Sequence, residues 1–384
     1  MACRRPIGLC TTIVAICAAG PLAAQQADPP SAPPAVVATP LDAVTATGTR
    51  TPTVSGDSAV PVSVLSREEI LERDARSVTE TIRDVPGVEL SGVGRTTALQ
   101  PLIRGLGDDR IVFRIDGARN NFNAGHRGRI FIDPELLRQI DVMRGPGSAL
   151  YGSGAIGGVI NMRTIEPDDI IQPDSDLPVG GFFRGGYQSQ GSMWRGLAAG
   201  AARAGDFAVL GAISGFNNQN FTDGAGNTIP YTADSVANGL ARLQWRPGNH
   251  SFDLSGMMFR DSNVLPIAAN TATEQSISNR ITEQQVYTLR YNYADPSMPL
   301  LNPQVVVYHN HVLLQEQRRT GTRARDTTDQ TTNGIDAQNN SRFSLFGWDN
   351  HIVTLGTEFY RDDQEGTQNG RRRAQFPTAS QDVL

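Results

Sequence analysis

"RGPGSALYGSGAIGGVINMRT", Arg144 to Thr164, carries six glycines in twenty-one residues and no charge between Arg144 and Arg163. A slack loop would mix glycine with polar residues. This stretch instead alternates small residues with single large ones and runs straight into the strand-like "VINMRT". Glycine admits positive φ and close backbone approach. The spacing therefore predicts an ordered, tightly packed turn, with Leu150 and Tyr151 as its fixed packing points.

Upstream, residues 58–170 read as a small mixed α/β unit. "VPVSVLS" is strand-like. Ser66 with Glu69 makes an S-x-x-E capping box ahead of "EEILERD", and Ser77 with Glu80 repeats it before "TETIRDV". Pro86-Gly87 signals a turn before "GVEL". "RIVFRIDG", Arg110 to Gly117, alternates polar with apolar residues and predicts a strand. Asp133-Pro134 pairs an N-cap acid with proline at the first helical position, predicting a helix over "PELLRQI". "QIDVMRG" then predicts a short strand.

Downstream the character changes. From about residue 178 a two-residue alternation replaces helical periodicity. Tyr287, Leu289, Tyr291 and Tyr293 take one face against Thr288, Arg290 and Asn292. Phe252, Leu254 and Met258 oppose Ser251, Asp253 and Ser255, and Ala241, Leu243 and Trp245 oppose Arg242, Gln244 and Arg246. Strands of ~10 residues with one apolar face, aromatic near their ends and joined by polar loops, fit a transmembrane barrel. A soluble sandwich also alternates, but does not favour aromatic residues on its outer face. Residues 171–384 have room for roughly nine or ten such strands. An open sheet leaves unpaired edges that lipid does not tolerate, so the chain is expected to be part of a longer one.

The N-terminus explains how such a chain leaves the cytoplasm. Arg4 and Arg5 precede a short apolar run and "PLAAQQ", the pattern of a secretory signal cleaved after Ala24. No later stretch is apolar for ~18 residues, so no transmembrane helix is expected. Cys3, Cys10 and Cys17 all lie in the signal, which excludes a disulfide framework and a cysteine metal site. Every basic residue is arginine, and removing Arg4 and Arg5 takes the formal charge from -5 to -7. A mildly acidic exported chain argues against nucleic-acid binding. Residues 25–40 are proline- and alanine-rich linker, and "LDAVTATGTR", Leu41 to Arg50, is β-prone.

These residues also match a family. "IDVMRGPGSALYGSGAIGGVINMRT" resembles the plug signature of TonB-dependent outer-membrane receptors. "PLIRGLGDDRIVFRIDGAR" is similar to the preceding plug strands with their "IRG" and "DG". The signature positions are Arg104, Gly105, Asp116, Gly117, Arg144, Gly145, Pro146, Tyr151, Gly152, Gly157 and Gly158. Asp42, Ala43, Val44, Thr45, Ala46 and Thr47 sit where the TonB box belongs. The resemblance implies an α+β plug domain inside a transmembrane antiparallel β-barrel of roughly 22 strands, only the first part of it present. The implied layout is a signal peptide over 1–24, a linker with the TonB box over 25–57, the plug over 58–170 and a partial barrel over 171–384. Only ~17 residues separate the cut from the box, so no extra signalling domain is expected. It implies a location in the outer membrane of a Gram-negative bacterium, in contact with outer-membrane lipid. It further implies active uptake driven by the TonB energy-transducing complex, no catalysis and no permanently bound cofactor.

The run "GARNNF…GH…FIDPELL" resembles the haem and haemoprotein (hemoglobin/transferrin/lactoferrin-type) receptor branch. That match puts the plug-loop ligand of haem iron at His126, and neutral imidazole is a good axial ligand. Arg127 and Arg129 would pair with propionates. The implied transported ligand is haem, free or from a haemoprotein. The branch's barrel-side motifs "FRAP" and "NPNL" do not occur in this chain. His309 and His311 share one face of "HNH"; lumen-facing polar filler is expected rather than a metal pair. The rival readings are a ferric-siderophore receptor of the same fold, which has no use for His126, and a secreted β-rich adhesin, which needs no plug. No nucleophile–base set or metal motif points to an enzyme.

Overall fold

The computed structural model describes residues 44–92, 95–125, 127–172, 177–268, 276–321, 323–345, 348–372 and 379–383. The expected signal peptide, Asp42, Ala43 and His126 lie outside the described residues.

The chain first makes two-residue strands β1 (Val44–Thr45) and β2 (Thr53–Val54), which pair antiparallel. The β-prone run thus yields one short pair, with turns between. Then come β3 (Val62–Ser66), α1 (Arg67–Arg73), α2 (Val78–Thr81), β4 (Val88–Ser91), β5 (Gln100–Ile103), β6 (Ile111–Ile115) and β7 (Ala118–Asn120). β8 (Leu137–Arg144), α3 (Ser148–Tyr151) and β9 (Gly158–Thr164) complete the unit. Its five-stranded sheet runs β3-β8-β9-β6-β7, with only the β6/β9 pair parallel.

Local chemistry accounts for these starts. At Ser66 the capping box closes in both directions with Glu69. At Ser77 only half forms: the hydroxyl accepts from Glu80 N–H, while the Glu80 carboxylate turns to the Arg76 N–H at 3.1 Å. The helix expected after Asp133-Pro134 is a correction. Asp133 does cap, accepting from Glu135 N–H at 3.0 Å, but a single 3-10 turn, Pro134–Leu136, gives way to β8. β8 lies between β3 and β9, and Leu137, Ile140, Val142 and Met143 are all buried. The sheet's need for a central strand overrides a local helix-start signal.

Nine long strands follow: β10 (Val179–Gln188), β11 (Met193–Ala204), β12 (Phe207–Asn218), then, after the small hairpin β13 (Phe221–Thr222) and β14 (Thr228–Ile229), β15 (Asp234–Trp245), β16 (His250–Pro266), β17 (Ile277–Tyr293), β18 (Pro303–Arg318), β19 (Arg325–Leu345) and β20 (Trp348–Gln368). They pair sequentially and antiparallel, with β21 (Arg371–Arg372) and β22 (Ala379–Val383) both on β20. Alternation holds as expected. Leu243, Trp245, Leu254, Met258, Tyr287 and Leu289 are exposed on one face; Arg242, Gln244, Asp253, Ser255 and Thr288 are buried on the other. That polar face is buried because it packs on the plug. Leu197, Leu210, Leu240, Met257, Val286 and Val306 join the cluster of Ile115, Ile140 and Ile160.

The "HNH" expectation is also corrected. In β18, Val306, Tyr308, Asn310 and Val312 face the plug, so His309 and His311 share the outer face with Val307. There His309 meets Asn333 Oδ1 at 2.7 Å and His311 meets Asp329 Oδ1 at 3.0 Å. The hydrophobic partners of β18 set the phase, and a period of two fixes every other side chain with it. No described helix is long and apolar enough to cross a membrane, which says nothing of a β-barrel.

Candidate functional site

The glycine-rich turn places one tyrosine. Gly145 N–H donates to Gly157 O at 2.8 Å and Gly147 N–H to Ala155 O at 2.7 Å, folding the segment back on itself. A Cβ on Gly158 would lie 2.2 Å from the Met143 carbonyl oxygen, so only glycine lets β9 start there. The product is α3, which delivers Tyr151 into a buried position. Its hydroxyl donates to Thr47 O at 2.9 Å, and the guanidinium carbons of Arg50 and Arg114 stand 5.2 and 5.7 Å from its ring centre.

Thr47 belongs to the segment read as the TonB box. Residues 44–54 form a strap across the plug–barrel junction. Thr45 and Thr47 donate to Asp141 Oδ2 at 2.8 and 2.7 Å, and Gln139 Nε2 donates to Val44 O at 3.1 Å. On the barrel side Arg50 pairs with Asp336, and Thr51 meets Thr354 at 2.7 Å and Asn340 at 3.2 Å. Thr45 and Thr47 are buried, whereas Val44 is half exposed.

The other signature positions are turn chemistry. Asp116-Gly117 is the two-residue turn of the β6–β7 hairpin, with φ of 50° and 91°. Positive φ at both positions suits Asp-Gly. Buried Asp116 accepts from Thr164 N–H (2.9 Å), Thr164 Oγ1 (2.6 Å) and the barrel's Arg242 (2.8 Å). Burial alone would raise its pKa; Arg242, Arg290 and the Thr164 bonds hold it below the usual carboxylate range instead. Arg104-Gly105 also has positive φ at both residues, and Arg144 donates to Pro86 O at 2.8 Å. Gly152 turns the chain after Tyr151 with φ 68°; Pro146 and Gly157 lie in the folded-back segment.

The second region is the loop between β7 and the Asp133 turn. Arg127 pairs with Glu316 of β18 and donates to Ala124 O at 2.7 Å, while its own carbonyl accepts from Gln100 at 2.7 Å. Gly128 N–H donates to Thr97 O at 2.9 Å. Arg129 is 4% exposed; it donates to Phe122 O at 2.8 Å, lies 3.4 Å from Asp109 and covers the Phe113 ring. Its guanidinium is thus bound inside the plug, with Nη1 buried and without a partner among the described residues. On the other side, Asn121 donates to Asp362 at 2.7 Å and Gln364 to Asn123 O at 3.0 Å. The loop is clamped on both flanks of position 126, between plug and barrel, beside a cavity of about 220 Å³ lined by Asn121, Asn123, Arg129, Gln330, Tyr360 and Asp362.

Strap and loop occupy opposite ends of the barrel strands. Arg127 meets β18 at Glu316, whereas Gln338 donates both to Arg50 O of the strap and to Gln304 of β18, twelve residues from Glu316. At about 3.3 Å per residue that is roughly 40 Å along the strand. The barrel acids that receive the plug arginines, Asp336 and Glu358 for Arg114 and Glu316 for Arg127, were invisible to sequence reasoning. Their one signal was an acid at an inward-phase position of an alternating strand.

Comparison with known proteins fits this geometry. Residues 55–159 match the TonB-dependent receptor plug domain. The chain is 29% identical to a hemin receptor of Yersinia pestis, over 95% of this chain and 54% of that protein. It is 31% identical to the heme/hemopexin utilization protein C of Haemophilus influenzae, over 88% of this chain and 51% of that one. Among solved structures it resembles the Serratia marcescens hemophore receptor HasR, solved with its hemophore HasA and heme: TM-score 0.73, 25% identity, 81% of this chain and 46% of that one. The FrpB iron transporter of Neisseria meningitidis shares the fold, with a TM-score of 0.69, 19% identity and coverage of 79% and 49%. The chain thus spans about half the length of the curated relatives it matches. It carries a TonB-dependent receptor plug domain over residues 55–159, seated on the polar face of a large antiparallel sheet.

Proposed function

We propose that the whole protein is an outer-membrane receptor that imports haem, free or taken from a haemoprotein, in a TonB-dependent manner. The observation that carries this reading is the clamping of Arg127 and Gly128, next in sequence to His126, in a chain whose relatives include a hemin receptor and a heme/hemopexin utilization protein. In this reading His126 supplies an axial ligand to the iron. Arg127 serves as the propionate partner, exchanging Glu316 for a ligand carboxylate, and Arg129 holds the loop. The strap is the handle on which the TonB complex pulls, adding a strand to its partner's sheet. The protein transports and does not catalyse. The siderophore-receptor alternative keeps strap and plug but gives His126 no role.

Titration of the full-length receptor and a His126→Ala variant with haemin, followed at the Soret band, separates the two. The expected outcome is a shifted Soret maximum and weaker binding in the variant. Identical spectra and affinities would favour the siderophore reading.

A further inference from the structure

A cavity of about 160 Å³ lies where strap, plug sheet and barrel meet. Four arginines stand in its wall: Arg50 of the strap, Arg114 and Arg163 of β6 and β9, and Arg290 of β17. Only two carboxylates, Asp141 and Asp336, line it with them. Both are already engaged. Asp336 takes Arg114 at 2.7 Å together with Arg50, and Asp141 accepts from Thr45, Thr47 and Gln139.

Arg163 and Arg290 remain. Arg163 donates through Nη2 to the neutral Gln139 amide, and Arg290 through Nη2 to the Asp116 carbonyl at 2.9 Å. The Asp116 carboxylate is taken by Arg242 and Thr164, so it offers Arg290 only the backbone oxygen. The Nε atoms of both arginines are buried without a partner among the described residues. Burial lowers the Arg163 pKa; Asp141 and Glu166 oppose that, while Arg138 and Arg290 add to it. Two half-buried guanidinium groups, each with a buried Nε that lacks a partner and neither in an ion pair among the described residues, gain from an anion that joins them.

We propose that this cavity is an oxyanion site, in which Arg163 and Arg290 hold one carboxylate or phosphate group. Planar guanidinium forks suit such groups. Pockets for whole small-molecule ligands run from about 300 to 1,000 Å³, so this one takes a small ion or a single acidic arm of a larger molecule. Ala46 and Arg50 form one wall, so displacement of the strap opens it.

Inorganic phosphate is the first probe. The thermal midpoint of the full-length receptor in detergent is measured against phosphate and against chloride at matched ionic strength. Wild type should show a saturable rise specific to phosphate. Arg290→Gln and Arg163→Gln should weaken half-saturation at least tenfold, and Arg290→Lys should retain part of the response. Arg163 lies in the plug and Arg290 in the barrel, so one variant stands in if the other does not fold. A wild-type response equal to that in chloride, or an unchanged saturable response in both glutamine variants, overturns the site. A second arm, resting on the haem reading, compares uptake of haemin with that of its dimethyl ester. Arg290→Gln slowing only haemin identifies a ligand carboxylate as the occupant; equal effects on both identify free phosphate. The first arm needs no haem, so failure of the site and failure of the haem reading are distinguishable.

Discussion

Gly158 shows how much one residue decides. Its Cβ would meet the Met143 carbonyl oxygen at 2.2 Å and Ile103 Cδ1 at 2.8 Å, and the first of these is backbone with no flexible end to move. Gly158→Ala must separate β8 from β9 at the turn that positions Tyr151. Overpacking of this kind costs about 1–3 kcal/mol. Gly56 is the control, since nothing lies within 4 Å of its Cβ direction. Limited proteolysis of the full-length receptor in rising urea should cut the plug at lower urea in Gly158→Ala and leave Gly56→Ala at the wild-type value. Equal behaviour of the two would refute the close-approach account.

At the scale of elements, the strap is held by side chains rather than by its own pairing. A pair of two-residue strands cannot hold itself. The strap is held by side-chain hydrogen bonds: Thr45 and Thr47 to Asp141, Tyr151 to Thr47 O, Thr51 to Thr354. Each contributes a net ~0.5–1.5 kcal/mol, and the largely buried Arg50–Asp336 ion pair must break as well for the strap to leave. Val44 pairs with Val54 and is half exposed. Val44→Pro removes an N–H and biases the residue before it. Transport by the full-length protein should cease while ligand still binds at the cell surface. Normal uptake by a stably expressed variant would refute the box assignment.

On the whole-molecule scale, the outer face of the barrel sheet carries Phe183, Trp194, Ile213, Leu254 and Met258, all exposed. Near the short β11–β12 and β15–β16 turns the rings of Phe207, Trp245, Phe252 and Tyr291 follow one another at 5.7, 5.2 and 5.0 Å. An aromatic row at one level fits an interfacial girdle beside an apolar band. In liposomes of brominated lipid, the tryptophan fluorescence of the full-length receptor should be quenched, and Trp245→Phe should remove part of that quenching. No difference between variant and wild type would place Trp245 away from lipid.

The sequence alone determined what is periodic or locally strained. Two-residue alternation marked which side chains of β15 to β17 share a face, because a strand allows no other arrangement. Capping at Ser66 and the close packing at Gly145 to Gly158 were legible for the same reason, since each needs particular residues at particular offsets; the Asp116-Gly117 turn was not, because the alternation of Arg110 to Gly117 reads as strand throughout. Only the tertiary structure decided what depends on a distant partner. Asp133-Pro134 begins a helix by local rules, yet β3 and β9 draw the next residues into a strand. His309 and His311 turn outward because Val306 and Tyr308 pack on the plug. The match of Arg127 to Glu316, of Arg114 to Asp336, and the lack of any such match for Arg163 and Arg290, join residues more than a hundred positions apart. Charge pairing across such separations leaves no periodic trace in a chain; it exists only once the barrel strands have packed on the plug.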